Sequence, residues 1–194
     1  MKKIMFNEKF GLETAVLNGT KTMTRRHIPI DMWNRIDFKA YSCGDDNCAE
    51  FSFRDNRWGD WRELAPYKVG DVVAIAQPYS VVAKDLEHLK TEKGWNNKMF
   101  VRAALMVHQI EITDVKMEKL QDITDEECIK EGIFVQDRGF DDNIYNFIVN
   151  GKYTCNWRFP TARDAFAALI DKLSGKGTWD KNEYVLAYTF KLIK

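Results

Sequence analysis

Apolar residues recur along this chain with two different periods, and the alternation between them predicts its elements. Lys3 to Phe6 reads as a short strand. Phe10, Leu12, Ala15, Val16 and Leu17 follow at helical spacing and stop at Asn18-Gly19, a helix-ending pair. Thr20 to Ile28 is β-branched and basic, which predicts extended backbone. Val69-Gly70-Asp71 is a turn ahead of Val72 to Ala76, a continuous apolar run of the buried-strand type. Strand texture runs from Met99 to Val115, and the alternation is clearest in His108-Gln109-Ile110-Glu111-Ile112-Thr113. Thr124 and Glu127 have the spacing of a capping box, and Gly132 ends the helix they would open. Ala162 to Leu173 gathers Phe166, Leu169, Ile170 and Leu173 on one helical face, and Tyr184 to Ile193 is the last strand.

Two stretches depart from this texture. Residues 29–66 hold Trp33, Trp58, Trp61, a Cys43-Gly44-Asp45-Asp46-Asn47-Cys48 turn and the alternating segment Glu50-Phe51-Ser52-Phe53-Arg54, the pattern of an inserted hairpin. Residues 136–160 are loop-rich, and residues 84–98 are polar and loop-like. Strands outnumber helices, and no strand–helix alternation repeats. The prediction is a single α+β domain over residues 1–194, built on a curved sheet or small barrel with a few flanking helices and the two insertions.

Composition narrows the class. Hydrophobic residues make up 45% of the chain, enough for a core, and no apolar run approaches the roughly 18–20 residues of a membrane span. The first residues lack a long apolar stretch and a small-residue cleavage site, so no secretory signal is expected and the cytoplasm is the default. Lys and Arg number 29, Asp and Glu also 29. A protein that holds long duplexes shows a basic excess, which is missing here. The balance is not local: residues 1–40 carry 8 basic against 4 acidic side chains, a net of +4, while residues 116–142 carry 4 against 9, a net of −5. Opposed poles fit a small polar ligand or a short nucleic-acid contact better than a polyanion clamp. Cys43 and Cys48 lack the second close pair that zinc needs, and His27, His88 and His108 are far apart, so reduced thiols and no metal or other cofactor are expected.

The densest polar cluster is Gly19-Thr20-Lys21-Thr22-Met23-Thr24-Arg25-Arg26. Its amine, hydroxyls and guanidiniums can bind an anion or orient a carbonyl, and Thr can act as a nucleophile. The plainer reading is an edge strand guarded by basic residues. Strand alternation sets Lys21, Met23 and Arg25 on one face and Thr22, Thr24 and Arg26 on the other, so Lys21 and Thr24 meet only where the alternation breaks. Glu131 ends the Thr124 helix, where the dipole opposes a carboxylate and would raise its pKa, as a general acid or base requires. A solvated Glu is the plainer alternative. No nucleophile elbow, Walker loop, dinucleotide fingerprint or His-Glu-x-x-His occurs. Asp45-Asp46 and Asp141-Asp142 read as solvated turns, and at most one tryptophan is expected to face a ligand.

Four blocks resemble the ASCH family, a branch of the PUA-like β-barrel superfamily. Leu17 to Arg26 is similar to the family signature Gly-x-Lys-x-x-(Glu or Thr)-x-Arg. Tyr67 to Ile75 resembles its strand entry with a Gly-Asp turn, Ile112 to Ile133 its central strand and helix, and Trp179 to Val185 the approach to its closing strand. Their order and spacing look like the longer ASCH proteins common in phages and prophages, and cover most of the chain outside the insertions. The resemblance implies a PUA-like barrel that recognises RNA or a modified nucleoside in a cleft built by Lys21, Thr24, Arg25, Arg26 and Glu131, with Gly19, Thr22, Gln77 and Tyr79 as further ligand contacts. One branch of the family removes acetyl groups from N-acetylated cytidine. Its resemblance implies Lys21 as the group that deprotonates Thr24, Thr24 as nucleophile and Glu131 as proton shuttle. An interaction protein without a ligand is the third expectation. After the Gly-Asp strand, relatives often carry a Glu and then an aromatic; here the residues are Gln77-Pro78-Tyr79, which would change the charge of the cleft.

Overall fold

A computed structural model describes residues 1–36, 50–52, 58–136, 143–153 and 158–193. Its centre is a five-stranded sheet of β1 (Lys2–Ile4), β2 (Met23–His27), β3 (Val72–Ile75), β4 (Gln109–Lys119) and β5 (Tyr184–Leu192), in the spatial order β1-β3-β4-β5-β2. β1 runs parallel to β3 and every other neighbour pair is antiparallel, so the sheet is mixed. The alternating and apolar runs in the sequence supply these strands because each can present Val73, Ile75, Ile110, Ile112, Leu186 and Tyr188 to one core. Between Thr189 and Phe190 the β4–β5 register slips: Asp114 faces Thr189 and Ile112 faces Phe190, leaving Thr113 as an extra residue. Such a bulge bends and twists the ladder.

Of the two expected forms, a curved sheet or a small barrel, the described residues form an open sheet and close no barrel. β1 and β2 are the two edges of the sheet, and among the described residues they do not pair. A side chain spans the gap instead: Arg26 on β2 donates from Nη2 to Met5 O, one residue past β1, at 2.5 Å, and its guanidinium lies over the Phe6 ring.

Helices α1 (Leu12–Leu17), α2 (Asp125–Lys130) and α3 (Ala162–Ser174) flank the sheet. α2 carries the predicted cap: the Thr124 hydroxyl accepts from Glu127 N, and the Glu127 carboxylate accepts from Thr124 N. α3 buries Ala162, Ala165, Phe166, Leu169 and Ile170. Within 29–66, Met32, Ile36, Trp61 and Ala65 enter the main core, and Glu50–Ser52 pairs with Trp58–Asp60. The Cys43–Cys48 turn, Phe53, Arg54, Asp141-Asp142 and Trp157 lie outside the described residues. Phe134–Gln136 pairs with Ile144–Asn146, and Phe147 is buried beside Phe10 and Phe159.

The strand predicted from Met99 begins only at Gln109. Residues 98–105 form two 3-10 turns, and Val101 and Met106 face a second, smaller core with Ala74, Ala76, Tyr79, Ala83 and Leu89. Apolar residues in that stretch serve this core, so their spacing follows turns rather than a pleat. No helix among the described residues is long and apolar enough to cross a membrane.

Candidate functional site

β2 begins at Met23, so Lys21 and Thr22 precede the ladder and escape its alternation. Lys21 N donates to Ala15 O at the end of α1 and Thr22 N to Lys130 O at the end of α2, which wedges this segment between the two helices. Gly19 takes φ +79 in the turn after α1. Phe190 N, beyond the bulge in β5, donates to Thr22 O. The break in the β2 pattern thus has three backbone causes, and it lets Lys21 turn inward.

A cavity of about 470 Å³ opens at this edge of the sheet. Lys21, Thr24, Arg25, Arg26 and Glu131 all line it, with Met5 to Lys9 and Lys98 on the rim and Leu12, Leu120, Leu169 and Ile170 among its apolar walls. No tryptophan is among the described residues that line it. The volume is in the range of small-molecule sites, roughly 300–1,000 Å³.

The floor is an ion-pair network. Lys21 is 2% exposed and Glu131 4%. Lys21 Nζ donates to Glu131 Oε2 and to Glu131 O, each at 2.6 Å, leaving one N–H of the ammonium free of those bonds. Arg25 Nη1 reaches Glu131 Oε1 at 3.3 Å, Nε donates to Glu118 Oε1 at 2.8 Å, and Nη2 donates to Glu127. Arg25, expected as a ligand contact, is therefore engaged by three carboxylates. Thr24 is buried at the cavity wall, and its hydroxyl has no hydrogen-bond partner among the described residues.

The electrostatics overturn one expectation. Glu131 is the C-cap of α2, as read from the sequence. Burial does push its pKa up, but the charges of Lys21 and Arg25 and their hydrogen bonds prevail and hold it below the ordinary carboxylate range. A six-residue helix with a weak end field loses to two cations in contact. Lys21 moves the way a general base needs: burial lowers its pKa, partly opposed by Glu131. Burial, outweighing Arg25, raises Glu118.

Arg26 differs from its neighbour. Its Nε is buried without a partner, and Met5 O is its one hydrogen-bond acceptor among the described residues. Burial lowers its pKa, against smaller opposing effects of Tyr67 and Glu131.

Gln77 and Tyr79 do not line the cavity. Gln77 Nε2 donates to Glu13 Oε1 at 2.9 Å, so a carboxylate from α1 stands beside the position where a Glu was expected. Tyr79 fills the second core; its ring packs on Gly94 and its hydroxyl accepts from Arg102 N. Gly19 and Thr22 act through backbone. Sequence reasoning missed Glu118 and Lys98. Lys98 Nζ donates to Phe6 O, to Glu8 at 2.8 Å and to Glu13 at 2.9 Å, tying the 84–106 segment to the rim. No local pattern marks either residue, since their partners lie 85 to 93 positions away.

Comparison with protein-family models, curated proteins and solved structures gives no match to this chain.

Proposed function

We propose that this protein is an ASCH-like amidohydrolase that takes a single N-acylated nucleoside into the cavity and removes its acyl group. One observation carries the reading: buried Lys21 and Glu131 share a 2.6 Å hydrogen bond on the wall of the cavity that Thr24 also lines. A nucleoside-sized cavity with apolar walls and a balanced net charge supports one nucleoside over a long strand.

The chemistry runs through these side chains. Lys21 passes its ammonium proton to Glu131 across the short bond, leaving a neutral amine and a carboxylic acid. The Thr24 oxygen attacks the amide carbon while Lys21 accepts the hydroxyl proton, and the carbonyl π pair moves to oxygen. The tetrahedral adduct collapses, the C–N bond breaks, and the leaving amine takes the Glu131 proton. Water then cleaves the acyl-threonine ester: one of its protons restores the Thr24 hydroxyl, its oxygen joins the acyl group as a carboxylate, and the other proton is released to solvent. The charged pair is the resting state; burial lowers the Lys21 pKa and eases the proton transfer, while the cations that hold the Glu131 pKa down oppose it.

The test is chromatographic turnover of N-acylated cytidines and adenosines by wild type, Lys21→Ala and Thr24→Ala. Wild type is expected to release the free base-amine nucleoside at a rate indifferent to chelators. Lys21→Ala should lose about 10²–10⁴-fold in rate, and Thr24→Ala should be inactive. Binding of these compounds without turnover would leave recognition alone as the function. Neither binding nor turnover would discard the reading.

A further inference from the structure

Antiparallel neighbours exchange main-chain hydrogen bonds at every second pair, and the residues between turn their N–H and C=O groups the other way. Phe190 N donates to Thr22 O, so on β2 the bonded positions are Thr24, opposite Tyr188, and Arg26, opposite Leu186. On the far side of β5, Leu120 N donates to Glu183 O, which turns Val185 and Ala187 toward β4 and agrees with that parity. Met23, Arg25 and His27 therefore direct their main-chain groups to the open edge of β2. Of these, Arg25 and His27 line the cavity.

Arg25 shows the cavity its main chain rather than its side chain. The residue is 7% exposed, but its side chain, locked among Glu118, Glu127 and Glu131, only 1%. No partner for its N–H or C=O occurs among the described residues. Across the gap the carbonyls of the first strand and the rim are taken: Lys3 O accepts from the Tyr67 hydroxyl, Met5 O from Arg26 and Phe6 O from Lys98. Main-chain groups away from water are nearly always paired, so a free pair in a cavity is a ready contact for a ligand.

An extended residue holds its N–H and C=O side by side on one edge, a donor next to an acceptor. Cytosine and adenine carry the complement, an exocyclic N–H beside an unprotonated ring nitrogen, and N-acylation keeps both. Resting on the amidohydrolase reading, we infer that the main chain of Arg25 reads the base: its C=O accepts the exocyclic N–H, and its N–H donates to the ring nitrogen. The acyl carbon is bonded to that same exocyclic nitrogen, so this pairing brings it beside Thr24, the preceding residue. The substrates are then N-acylated amino bases with a ring nitrogen next to the amide. A base without that nitrogen leaves the Arg25 N–H covered and unpaired.

The experiment keeps the protein as it is and changes the ligand. Cytidine and 3-deazacytidine, in which a C–H replaces the ring nitrogen, are compared as competitive inhibitors of the turnover of N-acetylated cytidine by wild type. The Arg25 amide proton is followed by NMR as each is added. The expected result is 3-deazacytidine binding weaker by about 10- to 100-fold, with a downfield shift of the Arg25 amide proton in cytidine alone. Equal inhibition by the two, or an Arg25 amide unmoved by saturating cytidine, would overturn the role and leave the hydrolase standing. An inert wild type would discard the hydrolase reading, and NMR titration with the same two nucleosides would then decide the main-chain role. A preference for cytidine together with the Arg25 shift would keep that role; no binding of either nucleoside would overturn it as well.

Discussion

Glu131 is charged at a position where burial and the helix end both oppose the charge, and two cations in contact decide the matter. Its folded pKa lies below the ordinary value, so its contribution to stability is present above the usual carboxylate range and is lost as pH falls through the lowered value. Lys21 is also shifted down, but for an ammonium that shift disfavours the charged form. Its folded pKa is below 10.5, so the unfolded chain holds the proton longer, and stability rises with pH between the folded value and 10.5. Replacing Glu131 by Gln leaves Lys21 buried without its counter-charge, which should cost about 3–5 kcal/mol. It should also remove the acid-side loss. Lys21→Met with Glu131→Leu strands no lysine charge and leaves Arg25 between Glu118 and Glu127. The double variant is therefore expected to be more stable than Glu131→Gln alone. Urea unfolding at pH 7 and at pH 3 to 5 checks both points; a double variant weaker than the single one would contradict them.

At the scale of elements, α2 is where local sequence and site chemistry coincide. Glu127 completes the capping box with Thr124 and also receives Arg25 Nη2. Thr124→Ala removes only the cap and should cost about 1 kcal/mol. Glu127→Ala removes the cap's return bond and one of the carboxylates around Arg25, so its loss in a denaturant melt should exceed that of Thr124→Ala. Equal losses would mean that Arg25 draws nothing from Glu127. The same helix explains what could be read in advance. Thr124, Glu127 and Gly132 act within a few positions of one another, so α2 was legible almost to the residue. The 98–108 segment was not, because Val101 and Met106 pack on a second core that no local period announces. Tyr79, expected at the cleft only through the resemblance, packs instead on the second core, with Gly94 beneath its ring. Lys21, Thr24 and Glu131 were legible as a set through resemblance. Their meeting on one cavity depended on where β2 starts, and that is fixed by backbone bonds to Ala15, Lys130 and Phe190.

Across the whole molecule, part of each charge pole meets part of the other. Lys21 and Arg25 of the basic N-terminal stretch pair with Glu118, Glu127 and Glu131 of the acidic stretch, 93 to 110 positions away. A net of +4 and a net of −5 therefore say less about a partner than they do about the fold. Lys98 repeats this logic at the rim, where its ammonium gathers Phe6 O, Glu8 and Glu13 and so fastens residues 5–9 over the cavity. Lys98→Met keeps most of the stem and removes all three bonds. Hydrogen bonds to a charged group are worth about 1.5–3 kcal/mol, so losing even one should free the rim to open locally. Amide exchange in residues 5–9 is then expected to quicken by roughly 10- to 100-fold, while the β5 amides of Tyr184–Leu192 keep their protection. Uniform acceleration would mean that Lys98 supports the fold as a whole. No acceleration would mean that the other rim bonds, Arg26 to Met5 O and Asn150 N to Lys9 O, hold the rim without it. Local acceleration alone would establish a cavity whose floor is locked by buried ion pairs and whose rim is fastened separately, so that a ligand could enter without disturbing Lys21 and Glu131.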